Sequence, residues 1–159
     1  MSSAPTSASS FVEPCIPTQG LYSPKGPNWV HEVKFDGYRC QLHKHGDDVV
    51  LFSRNGKDFT KHYLIVRAEA GAIPVQSVIL DGDMTAYADD GREDFKALLE
   101  RGTPHHLCGW VFDLLELHGR SQSVNPLWKR RMTVDAIMEK IHSPNIRLGA
   151  VQGPGRLVG

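Results

Sequence analysis

The feature that most constrains this chain is the way turn-forming residues cut it into short β-prone runs. Asp36-Gly37, Gly46-Asp47-Asp48, Asn55-Gly56, Asp81-Gly82-Asp83 and Asp89-Asp90-Gly91 recur between stretches rich in Val, Ile, Leu, Phe and Tyr. Gly, Asn and Asp adopt the backbone conformations that tight turns demand, so such punctuation predicts short strands joined locally, many of them antiparallel. A strand is expected to end at Phe35. Residues 38–44 and 49–53 read as a hairpin, and residues 75–80 and 84–87 as two strands split at Asp81-Gly82-Asp83. Residues 107–115 read as a buried strand and residues 146–151 as a last short one. Helices are expected over residues 63–72, over residues 93–101, and after Pro126 with Asn125 as cap. Val134, Ile137, Met138 and Ile141 give the last helix an apolar face.

Within this frame Lys34 stands out. It sits at a strand end, two residues before Asp36-Gly37 and five before Arg39. In that place a lysine can face a pocket, or it can be an ordinary exposed charge before a turn. To act as a nucleophile it must lose a proton, and the ordinary lysine pKa is ~10.4, so desolvation or neighbouring cations must lower it. Arg39 is a candidate neighbour, and its guanidinium can also hold phosphate oxygens.

With 159 residues the chain has room for one core and a tail. Formal net charge is zero, so the overall basic footprint of a nucleic-acid binder is absent. Charge is uneven, with an acidic stretch over residues 81–94 and a basic excess over residues 129–156. Cys15, Cys40 and Cys108 lack metal or redox spacing and read as reduced thiols. The histidines, including the His43/His45 and His105-His106 pairs, lack the spacing of a zinc site. No apolar run is long enough to span a membrane and no signal peptide is visible, which gives a cytoplasmic expectation and no membrane partner. Residues 1–23, rich in Ser, Ala, Thr and Pro at first and then in Pro, read as a disordered or extended lead-in to a domain over residues 24–159.

Four ordered segments carry a family resemblance. Glu32-Val33-Lys34-Phe35-Asp36-Gly37-Tyr38-Arg39 resembles the Glu-x-Lys-x-Asp-Gly-x-Arg motif of ATP-dependent DNA ligases. Ser53-Arg54-Asn55-Gly56 resembles their Ser-Arg-Asn-Gly segment, and Leu80-Asp81-Gly82-Asp83 their Leu-Asp-Gly-Glu motif, with Asp83 one methylene shorter than the usual glutamate. Trp110-Val111-Phe112-Asp113-Leu114-Leu115 is similar to their aromatic strand. The stretch Gly91 to Leu98 also resembles the ligase domain of bacterial end-joining ligases. Each segment alone has an ordinary reading: a surface lysine, an exposed arginine by a turn, a hairpin with two solvated acids, a core phenylalanine. Their order along one chain is what makes the resemblance specific.

The resemblance implies an α+β fold: antiparallel sheets with packed helices, the first part of a nucleotidyltransferase (DNA ligase-like) adenylation domain. It implies that Lys34 attacks the α-phosphate of ATP and becomes adenylated. Glu32 then accepts from the adenine amino group and Phe112 stacks on the ring. Arg39 and Arg54 approach sugar and phosphates. Asp83 contacts the ribose and helps with Mg²⁺, and Asp36 and Gly37 support the motif. Lys34, Arg54, Asp83 and Phe112 are therefore expected to converge on one pocket. The partners implied are ATP and nicked or broken duplex DNA; no protein partner is indicated. The family's later Glu-Gly segment, its later lysine motif and its oligonucleotide-binding barrel have no counterpart here, Trp128-Lys129-Arg130 lying too early for the lysine motif. An incomplete or inactive ligase portion is thus expected, with weakened self-adenylation and no nick sealing by this chain alone. A non-catalytic nucleotide-binding remnant, or a related RNA ligase or capping-type nucleotidyltransferase, are the alternatives.

Overall fold

The structure, a computed structural model, describes residues 10–100 and 106–152. In chain order the strands are β1 (His31–Glu32), β2 (Tyr38–His45), β3 (Asp48–Ser53), β4 (Ser77–Tyr87), β5 (His106–Leu117), β6 (Arg120–Ser121), β7 (Ile146–Leu148) and β8 (Val151–Gln152). The helices are α1 (Leu64–Ala70) and α2 (Leu127–Met138), with short 3₁₀ turns at Thr60–His62 and Phe95–Leu98. One sheet runs β3-β2-β4-β5-β6, all antiparallel, and β7 joins it parallel to β5. A separate two-stranded ladder pairs β1 with β8. This is the α+β arrangement the sequence implied.

The β2–β3 hairpin forms as expected around Gly46, whose φ is +58°. β4 departs from expectation: residues 77–87 make one strand, and Asp81-Gly82-Asp83 is no hairpin. The reason lies in its neighbours. β4 is the central strand, flanked by β2 and β5, and at Gly82 the β5 backbone comes so close that a Cβ would lie 2.2 Å from the Trp110 carbonyl oxygen. Glycine is needed there for close approach of main chains. Gly37 is similar, since its Cβ would meet the Met84 carbonyl oxygen at 2.2 Å.

The remaining differences are at element ends. The strand expected up to Phe35 pairs only at His31–Glu32, although burial still alternates along residues 31–36. The expected helix over 93–101 is a single 3₁₀ turn with Asp94 accepting from Ala97 N, and position 101 lies outside the described residues. Asn125 does not cap α2: Pro126 occupies that position in an extended conformation, while the Asn125 side chain donates to Gln122 and its carbonyl accepts from Arg130. The expected strand over 146–151 divides into β7 and β8.

The core forms where Leu42, Leu51, Val78, Leu80 and Leu114 of the sheet meet Val66 and Ala70 of α1 and Val134, Ile137 and Met138 of α2. Both helices bury one stripe of side chains and close the same core. Part of the expected lead-in is docked. Phe11 packs edge-on to Phe52, and the buried Gln41 amide donates to the Val12 carbonyl. No helix among the described residues is long and apolar enough to cross a membrane.

Candidate active site

Antiparallel register assembles the site. Arg39 lies opposite Asp83, and Gln41 opposite Asp81, so these side chains share one sheet face while Cys40 and Leu42 enter the core. On β5 the register shifts: Asp81 pairs with Asp113 but Gly82 pairs with Val111. Phe112 is the extra residue of a β-bulge. Bulges re-aim side chains. Here Val111 and Leu114 both stay in the core, and the two residues between them, Phe112 and Asp113, both line a cleft.

The cleft has a volume of about 1210 Å³, ample beside the ~300–1,000 Å³ of ordinary small-molecule sites. Glu32, Lys34, Arg39, Arg54, Asp83 and Phe112, the six side chains singled out by sequence, all line it. Gly37 lines it too, whereas the Asp36 side chain is exposed and outside it. Pro14, Cys15, Ile16 and Pro17 of the lead-in form part of the rim.

Lys34 is exposed on an extended segment held on both sides. Before it, Val33 N donates to the Ala150 carbonyl at 3.3 Å. After it, Phe35 stacks on Trp110 with ring centroids 4.5 Å apart. Asp36 N points at a Glu93 carboxylate oxygen at 3.4 Å. Trp110 is itself fixed, its indole N–H donating to Thr85 Oγ1 and Tyr87 Oη, both at 3.0 Å. Arg54 follows the last residue of β3, in a turn closed by Ser53 and Lys57 with Gly56 at φ +74°. No hydrogen bond or ion pair engages the side chain of Lys34 or Arg54 among the described residues, so both can meet an incoming anion.

Arg39 is held differently. Its guanidinium forms a fork to Asp81, Nε at 2.9 Å and Nη2 at 2.6 Å, and lies over the Phe112 ring at 5.0 Å. Asp81 is only 2% exposed, and such a carboxylate needs the charge-assisted fork it receives. The hydrogen bond to Asp81 raises the Arg39 pKa against an opposing desolvation. Burial pushes the Asp83 carboxyl up from its ordinary value; Asp81 and Glu32 add to this, and Arg39 and Lys34 oppose it.

Sequence reasoning missed three partners. Asp81 reads in sequence as a solvated turn acid but is the anchor of Arg39. Arg130 forks to Asp113 at 2.7 and 2.9 Å at the cleft wall. Arg131 pairs with Glu32 from behind. Its position was legible in principle, because 131, 134 and 138 share helical spacing with the buried stripe.

An antiparallel α+β scaffold that gathers a lysine, two arginines, two carboxylates and an aromatic ring in one cleft defines a nucleotidyltransferase-type domain. The family model of the ATP dependent DNA ligase domain matches residues 11–148. This chain belongs to that family. It is 35% identical over 109 residues to the multifunctional non-homologous end joining DNA repair protein LigD of Mycobacterium tuberculosis, covering 68% of this chain and 14% of that protein. The crystal structure of the ligase domain of M. tuberculosis LigD matches with a TM-score of 0.69 and 28% identity, covering 79% of this chain and 41% of that one. A mycobacterial DNA ligase D complexed with ATP and MES matches equally well, with 40% of its chain covered. The chain therefore spans about one seventh of the length of the curated relative and about two fifths of the ligase-domain structures.

Proposed function

We propose that this chain carries the nucleophile and the base-recognition side of an ATP-dependent DNA ligase, with Lys34 as the residue that takes up AMP. The observation that carries the reading is that the motif lysine, two arginines, two acids and an aromatic ring, drawn from segments far apart in sequence, line one cleft. In the step proposed, neutral Lys34 Nζ attacks the α-phosphorus of ATP. An N–P bond forms, the bond to the bridging oxygen breaks, pyrophosphate leaves with the electron pair, and the amine proton passes to solvent.

The surrounding residues have distinct tasks. Phe112, braced by Arg39 on one face, offers the adenine a flat apolar surface. Glu32 accepts from the exocyclic amine. Arg54 and Arg39 lie where sugar and phosphate charge would be met, and the fork to Asp81 keeps Arg39 from swinging. In the intact ligase the adenylate passes to the 5′-phosphate of nicked or broken duplex DNA, and the 3′-hydroxyl then displaces AMP.

For Mg²⁺, no cluster of three or more acidic, histidine or cysteine ligands exists among the described residues. A magnesium ion can be held by one carboxylate together with substrate phosphates and water. Asp83 is the carboxylate that would hold it, and it would neutralise phosphate charge and help pyrophosphate leave.

Incubation with α-labelled ATP and Mg²⁺ tests the proposal. Label should become covalent, be released by added pyrophosphate, and vanish in Lys34→Ala. Labelling that persists in Lys34→Ala would refute the assignment.

A further inference from the structure

Arg131 is a charged side chain in the buried stripe of α2, and the whole residue is only 3% exposed. Arginine does not shed its charge, so a guanidinium this deep must find acceptors. It finds three, on three separate segments. Nη1 meets Glu32 Oε1 and donates to the Phe112 carbonyl at 3.0 Å, and Nη2 donates to the Gly149 carbonyl at 3.0 Å. Glu32 belongs to β1, Phe112 to the bulge of β5, and Gly149 to the link between β7 and β8. One side chain thus ties the two cleft residues expected at the base to a common point in the core.

The asymmetry of the pair is informative. The Arg131 side chain is 4% exposed and that of Glu32 41%. Arg131 lies behind the carboxylate, while Glu32 faces the cleft. One carboxylate oxygen is engaged, and the other accepts no hydrogen bond from the described residues. An ionised carboxylate is an acceptor only, so the outward oxygen can receive a donor and rejects another acceptor.

We propose that Arg131 is the positioning residue for base selection in this cleft. It holds Glu32 by one oxygen and aims the other at the base edge. It also fixes the β5 main chain under the Phe112 ring. The chemistry selected is a purine bearing an exocyclic amine at its six-position, against one bearing a carbonyl there. This rests on the reading that the cleft takes ATP, base end toward Glu32 and Phe112.

The test compares equilibrium binding of ATP and inosine triphosphate, which differ at that position, to the chain and to Arg131→Lys, Glu32→Gln and the double variant. Thermal melts run alongside. Lysine keeps the charge but cannot serve three acceptors from one rigid plane. In Arg131→Lys the preference for ATP over inosine triphosphate should fall about tenfold, the scale of one well-made hydrogen bond. Inosine triphosphate affinity should hold. Glu32→Gln should lose the preference similarly, and the double variant should lose little more. If Arg131→Lys does not fold, Glu32→Asp replaces it, since the shorter side chain withdraws the carboxylate from the base edge. Full ATP preference in Glu32→Asp would overturn the proposal. So would a folded Arg131→Lys that keeps the preference, or that weakens both nucleotides equally as a purely structural residue would. A parent chain without any preference for ATP would overturn the adenine reading itself, and the proposal with it.

Discussion

Arg39 and the two acids around it show how a residue's surroundings assign its work. The family motif implies an Arg39 that approaches a nucleotide; the fold adds that Asp81, buried and central, determines where its guanidinium points. Asp81→Ala should lower stability by roughly 2–3 kcal/mol in chemical denaturation. That is less than the ~3–5 expected for a fully buried pair, because the Arg39 side chain remains 23% exposed and can reach water. A loss below about 0.5 kcal/mol would mean the fork is not structural. Asp83 gives a pH prediction. Its folded pKa is raised, first by burial, so the folded state holds that proton more tightly than the unfolded chain. The stability it contributes is complete below the ordinary aspartate value of ~3.9 and is lost as pH rises through the raised value. In melts from pH 4 to pH 7, Asp83→Asn should therefore gain on the parent as pH rises. Parallel curves would contradict the shift.

At the scale of elements, turn residues were a mixed guide. Gly46, Gly56 and Gly91 do sit at positive φ, as their dipeptides promised. Gly37 and Gly82 are glycines because another main chain passes close by. That difference depends on which strands become neighbours, and local sequence does not contain it. The same holds for the β5 bulge, which turns Phe112 into the cleft instead of the core. The gathering of the motif residues in one cleft was legible further than the fold's details, since it needed only their order and type, while strand continuity at Asp81–Asp83 needed the flanking strands. Two alanine substitutions separate the two kinds of glycine. Gly91→Ala meets nothing within 4 Å but must adopt φ +82°, costing about 1–2 kcal/mol. Gly82→Ala has no room and should cost roughly 4 kcal/mol or prevent folding. Equal losses in denaturant melts would show that close approach at Gly82 is not limiting.

At the scale of the molecule, a chain of zero formal net charge lines one cleft with the motif side chains and buries an apolar core beside it. The thiols report on that partition. Burial pushes Cys40 up to about 12 and Cys108 up to about 11, whereas Cys15 is exposed at the cleft rim. Since the thiolate is the reactive form, a chromogenic disulfide reagent at pH 8 should titrate one thiol quickly and the other two only on unfolding. Three fast thiols would mean the sheet does not close over its core. The central claim is that the cleft presents Lys34, among eight lysines, to the α-phosphate of ATP. Peptide mass mapping after incubation with ATP and Mg²⁺ tests it most directly. The account predicts a single adenylate, on the peptide bearing Lys34, absent after pyrophosphate treatment. An adenylate on any other lysine would contradict it.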